Sequence, residues 1–319
     1  MRTTWPNGPL GTIEVMGSRF PCPKRVLSVH SVFHTSLNLR DGGDGLYALV
    51  MRPGQLHPCT AVMHPSTAGT EFTQLGLSAG QKVLLQEERL SFDCGLWVSF
   101  VGAMRVHPHK EAAPVACSLE TESLKRQGKE LSRAQHEKGA LLVYDALFQH
   151  LDMNDGFMGY FSPHASVLLS GVQLQDLVLS ERGIKALLGL GPGSTPVGDD
   201  FLCGFLLALS MLSLSTSDSS FTHFVQAFAT CIRRFLHDSF QYTTDISRCM
   251  LLLSCDNLFA PALVAFAQVF SAKQVDEMQF AAALQVLSGL GHSSGYDAAS
   301  GLLYGLYGLL PEIMGKGVV

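Results

Sequence analysis

Charge is scarce in this sequence. Of 319 residues only 15% are Asp, Glu, Lys or Arg, against about a quarter in an average soluble domain. The net charge of -5, the pI near 6.2 and the lack of any basic stripe exclude an electrostatic nucleic-acid surface. No Cys-x-x-Cys pair occurs among the eight cysteines, so zinc and thiol-redox signatures are missing. There is no G-x-x-x-x-G-K-[ST] run, and Gly189-x-Gly191 lacks the third glycine of the dinucleotide fingerprint, which argues against P-loop and Rossmann nucleotide sites. The segment Met1 to Pro6 has no apolar targeting core. Of the two most apolar runs, 201–214 is too short to span a bilayer and 249–270 contains Asp256, Asn257 and Pro261. Both read as buried helices of a cytoplasmic protein with reduced thiols and no membrane contact. No internal repeat is evident.

What is present is apolar: 47% of the chain, at a length that supports a large core and two domains. A surface poor in charge also fits one partly covered by partner subunits. The halves differ in period. Arg25–His34, Leu46–Met51, Gln81–Gln86 and Leu96–Val101 have strand lengths and intervening turns. Residues 1–115 are therefore expected to form a β-rich, barrel-like domain. From 116 to 319 the pattern turns helical, beginning with Glu120–Lys138 and the apolar-periodic Ala140–Gln149. It continues through Leu174–Leu188 (interrupted at Gly183), Pro196–Leu214, Phe221–Ser239, Ser247–Phe270, Val275–Leu290 and Ala298–Leu309. The expected fold class is α+β, a β-rich domain followed by a larger all-α domain.

Three polar loops interrupt the helical half. The first, Gly189-Leu-Gly191-Pro-Gly193-Ser194-Thr195-Pro196-Val-Gly198-Asp199-Asp200, feeds an apolar helix. Thr195 as N-cap and Pro196 at the first helical position make a helix start. Capping alone does not call for four glycines, each of which costs backbone entropy. A glycine loop at a helix N-terminus offers N–H groups and a positive dipole end to an anion. Two carboxylates about 5 Å apart repel by about 3 kcal/mol at an effective dielectric near 20. A divalent cation such as Mg²⁺ on Asp199 and Asp200, or several donors, would offset that. Neighbouring helical side chains diverge by about 100°, so the two acids need not face the same ligand.

The second loop, Tyr242-Thr243-Thr244-Asp245-Ile246-Ser247, offers hydroxyls that also serve as ordinary caps. In the third, Gly291-His292-Ser293-Ser294-Gly295-Tyr296-Asp297, Ser294 and Asp297 have capping-box spacing. That leaves His292 as a candidate general acid–base group. Other polar residues read more plainly. His107-Pro108-His109 is a surface turn, His30 and His34 share a strand face, Cys203 is core, and Arg233-Arg234 is exposed helix charge.

Taken together, Gly-Leu-Gly-Pro-Gly-Ser-Thr-Pro-Val-Gly-Asp-Asp at 189–200, Thr-Thr-Asp-Ile-Ser at 243–247 and Gly-His-Ser-Ser-Gly-Tyr-Asp at 291–297 resemble the AllH family. The resemblance extends over most of the chain, including the strand pattern around 31–95. It implies a subunit of an oxamate carbamoyltransferase in anaerobic allantoin and purine breakdown, where oxalurate and phosphate give oxamate and carbamoyl phosphate, and it implies further subunits. It brings no catalytic residues with it. The motif positions Gly191, Gly193, Ser194, Thr195, Gly198, Thr243, Thr244, Ser247, Ser293, Ser294, Gly295 and Asp297 carry over as expected substrate-binding positions for a small anion. The chemistry of the residues adds His292 and Asp200 as expected catalytic groups. The alternative is a noncatalytic scaffold or regulatory subunit whose loops only cap helices while it docks catalytic partners.

Overall fold

The computed structural model describes residues 8–21, 23–43, 45–106, 121–134, 156–238, 242–271 and 276–315. Of the single long helix expected over Glu120–Gln149, the apolar half Ala140–Gln149 lies outside them, as do the His107-Pro108-His109 turn and the expected domain boundary at 115/116. The chain divides into two compact units, Met1–Pro108 and His109–Val319.

The first unit is a closed barrel. Its strands are β1 (Gly8–Gly17), β2 (Arg25–Val32), β3 (Ser36–Arg40), β4 (Leu46–Val50), β5 (Thr60–Pro65), β6 (Lys82–Leu85), β7 (Arg89–Phe92) and β8 (Leu96–Ser99), with β9 (Met104–Val106) added outside. The neighbours run β5-β4-β3-β2-β6-β7-β8-β1, and β1 closes on β5. Most pairs are antiparallel. The first half of β1 runs parallel to β8 and its last three residues parallel to β9, with an irregularity between Ile13 and Val15. Alternate residues point inward, which puts Leu37, Leu39, Val83, Leu85, Leu90, Phe92, Leu96 and Val98 in the core. Eight strands enclose a space that side chains alone fill, and closure removes the exposed edges. His57 is buried in this unit, and desolvation lowers its pKa to about 4. It is therefore neutral at pH 7.

The second unit contains, among the described residues, helices α1 (Thr121–Ala134), α2 (Gly156–Gln173), α3 (Leu177–Leu187), α4 (Val197–Ser215), α5 (Ser219–Asp238), α6 (Asp245–Cys255), α7 (Pro261–Gln268), α8 (Glu277–Leu287) and α9 (Ser294–Gly315). Three expectations need correction. Helix α2 falls before the expected Leu174–Leu188 run and carries Pro163 in its interior. Helix α3 passes through Gly183 without interruption, because a Cβ there would lie 2.7 Å from Leu168 and the bare Cα lets α2 approach. The expected single helix 247–270 is two, broken where Asn257 adopts φ +58° and Pro261 restarts the chain.

Helix α4 is the hub. Every residue from Val197 to Met211 and Leu212 is buried. By length and composition α4 could cross a membrane, yet 89% of its apolar window is buried inside the protein. Burying Phe201, Phe205, Leu207 and Leu209 stabilises the unit by about 1.5–3 kcal/mol per side chain. The principal packing partner of α4 is α9.

The two helices and the turns before them form a repeat. Leu187-Leu-Gly-Leu-Gly191 precedes α4, and Leu287-Ser-Gly-Leu-Gly291 precedes α9. Both helices then carry Gly-x-Asp-x-x-x-Gly, at Gly198/Asp200/Gly204 and at Gly295/Asp297/Gly301. The turns differ in length, with six residues between Gly191 and Gly198 and three between Gly291 and Gly295, which hides the repeat from a fixed-period reading. The structure treats the copies alike. Gly198 N–H donates to Leu190 O at 2.9 Å and Gly295 N–H to Leu290 O at 3.0 Å. A Cβ on Gly198 would lie 2.0 Å from Leu187 O, and one on Gly295 would lie 2.2 Å from Leu287 O. The helix crossing is reciprocal. A Cβ on Gly204 would lie 1.7 Å from Ala298 O, and one on Gly301 would lie 1.9 Å from Phe201 O. Two bare Cα atoms, Gly204 and Gly301, thus let α4 and α9 meet backbone to backbone, while Gly198 and Gly295 seat each helix start on the end of the helix before it.

Candidate functional site

The three polar loops meet at the starts of α4 and α9. Thr195 Oγ1 and Ser294 Oγ share a hydrogen bond of 2.8 Å. Thr244 Oγ1 donates to Ser194 O at 2.6 Å, and the Thr243 hydroxyl donates to Asp199 Oδ2. The first loop is held at its start as well. Gly189 N–H donates to Asp199 Oδ1 at 2.8 Å. Gly189 has φ +70°, and a Cβ there would lie 1.9 Å from Tyr242 O, so only glycine fits against the second loop.

Under these loops lies an acid floor. Asp199, Asp200 and Asp297 are 1%, 4% and 0% exposed. The 100° between helical neighbours sends Asp199 and Asp200 to different partners. Asp199 turns to Gly189 and Thr243. Burial pushes its pKa up to about 6, opposed by its hydrogen bonds from Thr243, Gly189 and Ser247. Asp200 turns to α9. Burial raises it well above the ordinary carboxylate range, and hydroxyl contacts with Ser294 and Thr195 oppose that rise while repulsion from Asp297 and Asp199 adds to it. Asp200 Oδ2 is buried with no hydrogen-bond partner. In a native protein such an atom calls for an explanation.

Several expected roles change. The N-cap of α4 is Pro196, with no side-chain cap bond, and its carbonyl accepts from the N–H groups of Asp199 and Asp200. Thr195 is therefore free of capping, and its hydroxyl crosses to Ser294. Helix α9 begins at Ser294 itself, with Asp297 N–H bonded to Ser293 O at 2.9 Å, so Ser294 is not the cap of a capping box. Thr244 does cap, accepting from Ser247 N–H at 3.1 Å as the N-cap of α6. Gly198 and Gly295 are buried, with N–H groups spent on Leu190 and Leu290 carbonyls, so they set helix packing rather than face a ligand. Asp199 spends both oxygens on loop contacts, and among the described residues no group of three His, Cys, Asp or Glu is arranged to hold a metal ion. Asp199 thus braces the first loop against the second.

At the surface, Pro192, Gly193, Ser194, Gly291 and His292 are exposed, while Thr195, Thr243, Thr244, Ser293 and Ser294 are half-buried. The result is a rim of hydroxyls and loop amides above buried carboxyls. Elsewhere in the helical unit, a cavity of about 530 Å³ lies between α1 and α8. It is lined by Arg126, Gln127, Glu130, Glu277, Phe280 and their neighbours, and by no residue of the three loops.

The sequence pattern missed how the loops are joined. Tyr242 O, Leu187 O and Leu287 O are the backbone groups on which the glycines close, and nothing in side-chain identity marks a carbonyl. The Gly-x-Asp-x-x-x-Gly pairs are the signal that would have found the crossing.

Two family profiles match the chain. One, described as the AllH family N-terminal domain, covers residues 16–109, and the other, described as oxamate carbamoyltransferase subunit AllH, covers 187–306. The second spans both copies of the repeat, and the two together account for most of the chain. No curated protein and no solved structure matches it.

Proposed function

The chain belongs to the AllH family, and on that premise we propose that it is the anion-binding subunit of a cytoplasmic oxamate carbamoyltransferase of anaerobic allantoin breakdown. The reaction interconverts oxalurate plus phosphate with oxamate plus carbamoyl phosphate. The observation that carries this reading is the convergence of three sequence-distant loops on the paired beginnings of α4 and α9. Helix beginnings and hydroxyls suit phosphate and carboxylate groups. In the forward direction a phosphate oxygen attacks the carbamoyl carbon of oxalurate, the bond from that carbon to nitrogen breaks, and the nitrogen leaves with a proton as oxamate. Amides of the Gly191–Thr195 turn and of His292–Ser294 supply donors for the oxyanion formed on attack. His292, exposed on the rim, is the group we assign to moving the proton. The family name, as a subunit, supports a multi-subunit assembly.

A second reading has its own support. Asp199, Thr244, Gly198 and Gly295 all serve internal bracing, as they would in a noncatalytic scaffold that docks catalytic partners. Thermal denaturation of the full chain with phosphate, carbamoyl phosphate, oxamate and oxalurate separates the two. A ligand at a hundred times its Kd stabilises the native state by about 2.7 kcal/mol. That is roughly 5–10 °C in Tm for a unit of this size. No shift with any of the four, for the chain alone and for the complex co-purified with it, would leave the scaffold reading standing.

A further inference from the structure

An acid floor is an odd base for a site that binds anions. Asp200 and Asp297 hold equivalent places in the two repeat copies and repel each other. Asp199 is satisfied by Gly189 and Thr243, but Asp200 Oδ2, in a side chain 96% removed from solvent, accepts no hydrogen bond. A buried acceptor left unmade costs about a factor of five to a hundred in an equilibrium constant. Thr195 and Ser294, half-buried, are the hydroxyls in contact with the rest of the Asp200 carboxyl, and their mutual bond links it to the rim.

What Asp200 Oδ2 lacks is a hydrogen-bond partner; where that oxygen accepts, the donor cannot be the anionic end of a ligand. We propose that Asp200 accepts a hydrogen bond from the N–H of a carbamoyl or ureido group, so that the ligand lies with its nitrogen end on the floor and its carboxylate or phosphate at the rim. The inference deepens the anion-site reading above and rests on it. A polar ligand with N–H at one end and negative charge at the other satisfies both layers at once. A simple dianion does not, because its second charge would face Asp200. Asp200 is in this reading a positioning and specificity residue that fixes which way round the substrate enters.

The test is calorimetric titration of the full chain, alone and in its co-purified complex, with oxamate, N,N-dimethyloxamate and oxalate. The first has an N–H donor, the second none, and the third replaces the amide with a carboxylate. The native protein is expected to bind oxamate tenfold or more tighter than either of the others, in line with one unpaired buried acceptor. In Asp200→Asn the preference is expected to vanish, with oxamate falling to the level of oxalate while oxalate binds as well as before or better. If the native protein binds oxamate and N,N-dimethyloxamate equally, the inference is wrong, and this comparison needs no variant to fold. Equal weakening of oxamate and oxalate by Asp200→Asn also overturns it, since that is the mark of a merely structural acid. If the native protein binds none of the three, the anion-site reading itself has failed and this inference goes with it.

Discussion

Substituting Gly301 by alanine tests the feature that brings the loops together. The new Cβ would sit 1.9 Å from Phe201 O, 2.8 Å from its carbonyl carbon and 3.0 Å from Phe205 N. All three are backbone atoms of α4, so no side chain can swing aside. The helices must part by roughly an ångström or more before ordinary contact is restored. Overpacking of this kind costs about 1–3 kcal/mol, and a backbone obstruction belongs at the upper end. Alanine returns about 1 kcal/mol through its better helix propensity, leaving a net loss of about 2 kcal/mol. For a unit of this size that lowers Tm by about 4–8 °C, read by far-ultraviolet circular dichroism. Gly204→Ala should match it, because its Cβ would meet Ala298 O in the reciprocal position. The double variant should fall short of additivity, since one separation relieves both clashes. Gly156→Ala, where an added carbon meets nothing within 4 Å, is the control and should cost nothing. An unchanged or raised Tm in Gly301→Ala would refute the idea that bare Cα atoms close the crossing.

Acidity should act on the two units in opposite senses. The folded pKa of Asp199, about 6, lies above its ordinary value of 3.8. The stability it contributes is therefore present below about pH 4 and lost as pH rises through 6, by about 3 kcal/mol. Asp199→Asn should flatten that part of a urea-denaturation series for the helical unit, and an unaltered slope would count against a buried titrating acid. In the barrel, His57 has a folded pKa of about 4 against 6.5. Its contribution is present above pH 6.5 and lost, again by about 3 kcal/mol, as pH falls toward 4. His57→Gln should remove that loss, and continued acid weakening of the barrel in the variant would place the cause elsewhere.

The barrel was legible in the sequence at apolar or alternating runs, as at Arg25–Val32 and Leu46–Val50. It was not legible in β1, where Gly8, Pro9, Gly11 and Gly17 break the run, nor in β3, β5, β7 and β9, which gain their order from neighbours rather than from their own pattern. The glycine loop could be read because glycine and proline are local signals. That Thr195 reaches Ser294 instead of capping α4 could not be read, because the choice depends on a partner 99 positions away. The split role of the adjacent acids followed from helix geometry alone. The repeat is present in the sequence, masked by turns of unequal length and by helices that share little beyond glycine and aspartate.

Two matched hairpins meeting head-on would, by themselves, greet a small molecule identically from either side, with nothing to tell its front from its back. The longer turn Pro192–Val197 against the shorter His292–Ser294 breaks that tie. Three additional residues, inserted into one twin and not the other, make the two faces of the crossing unlike.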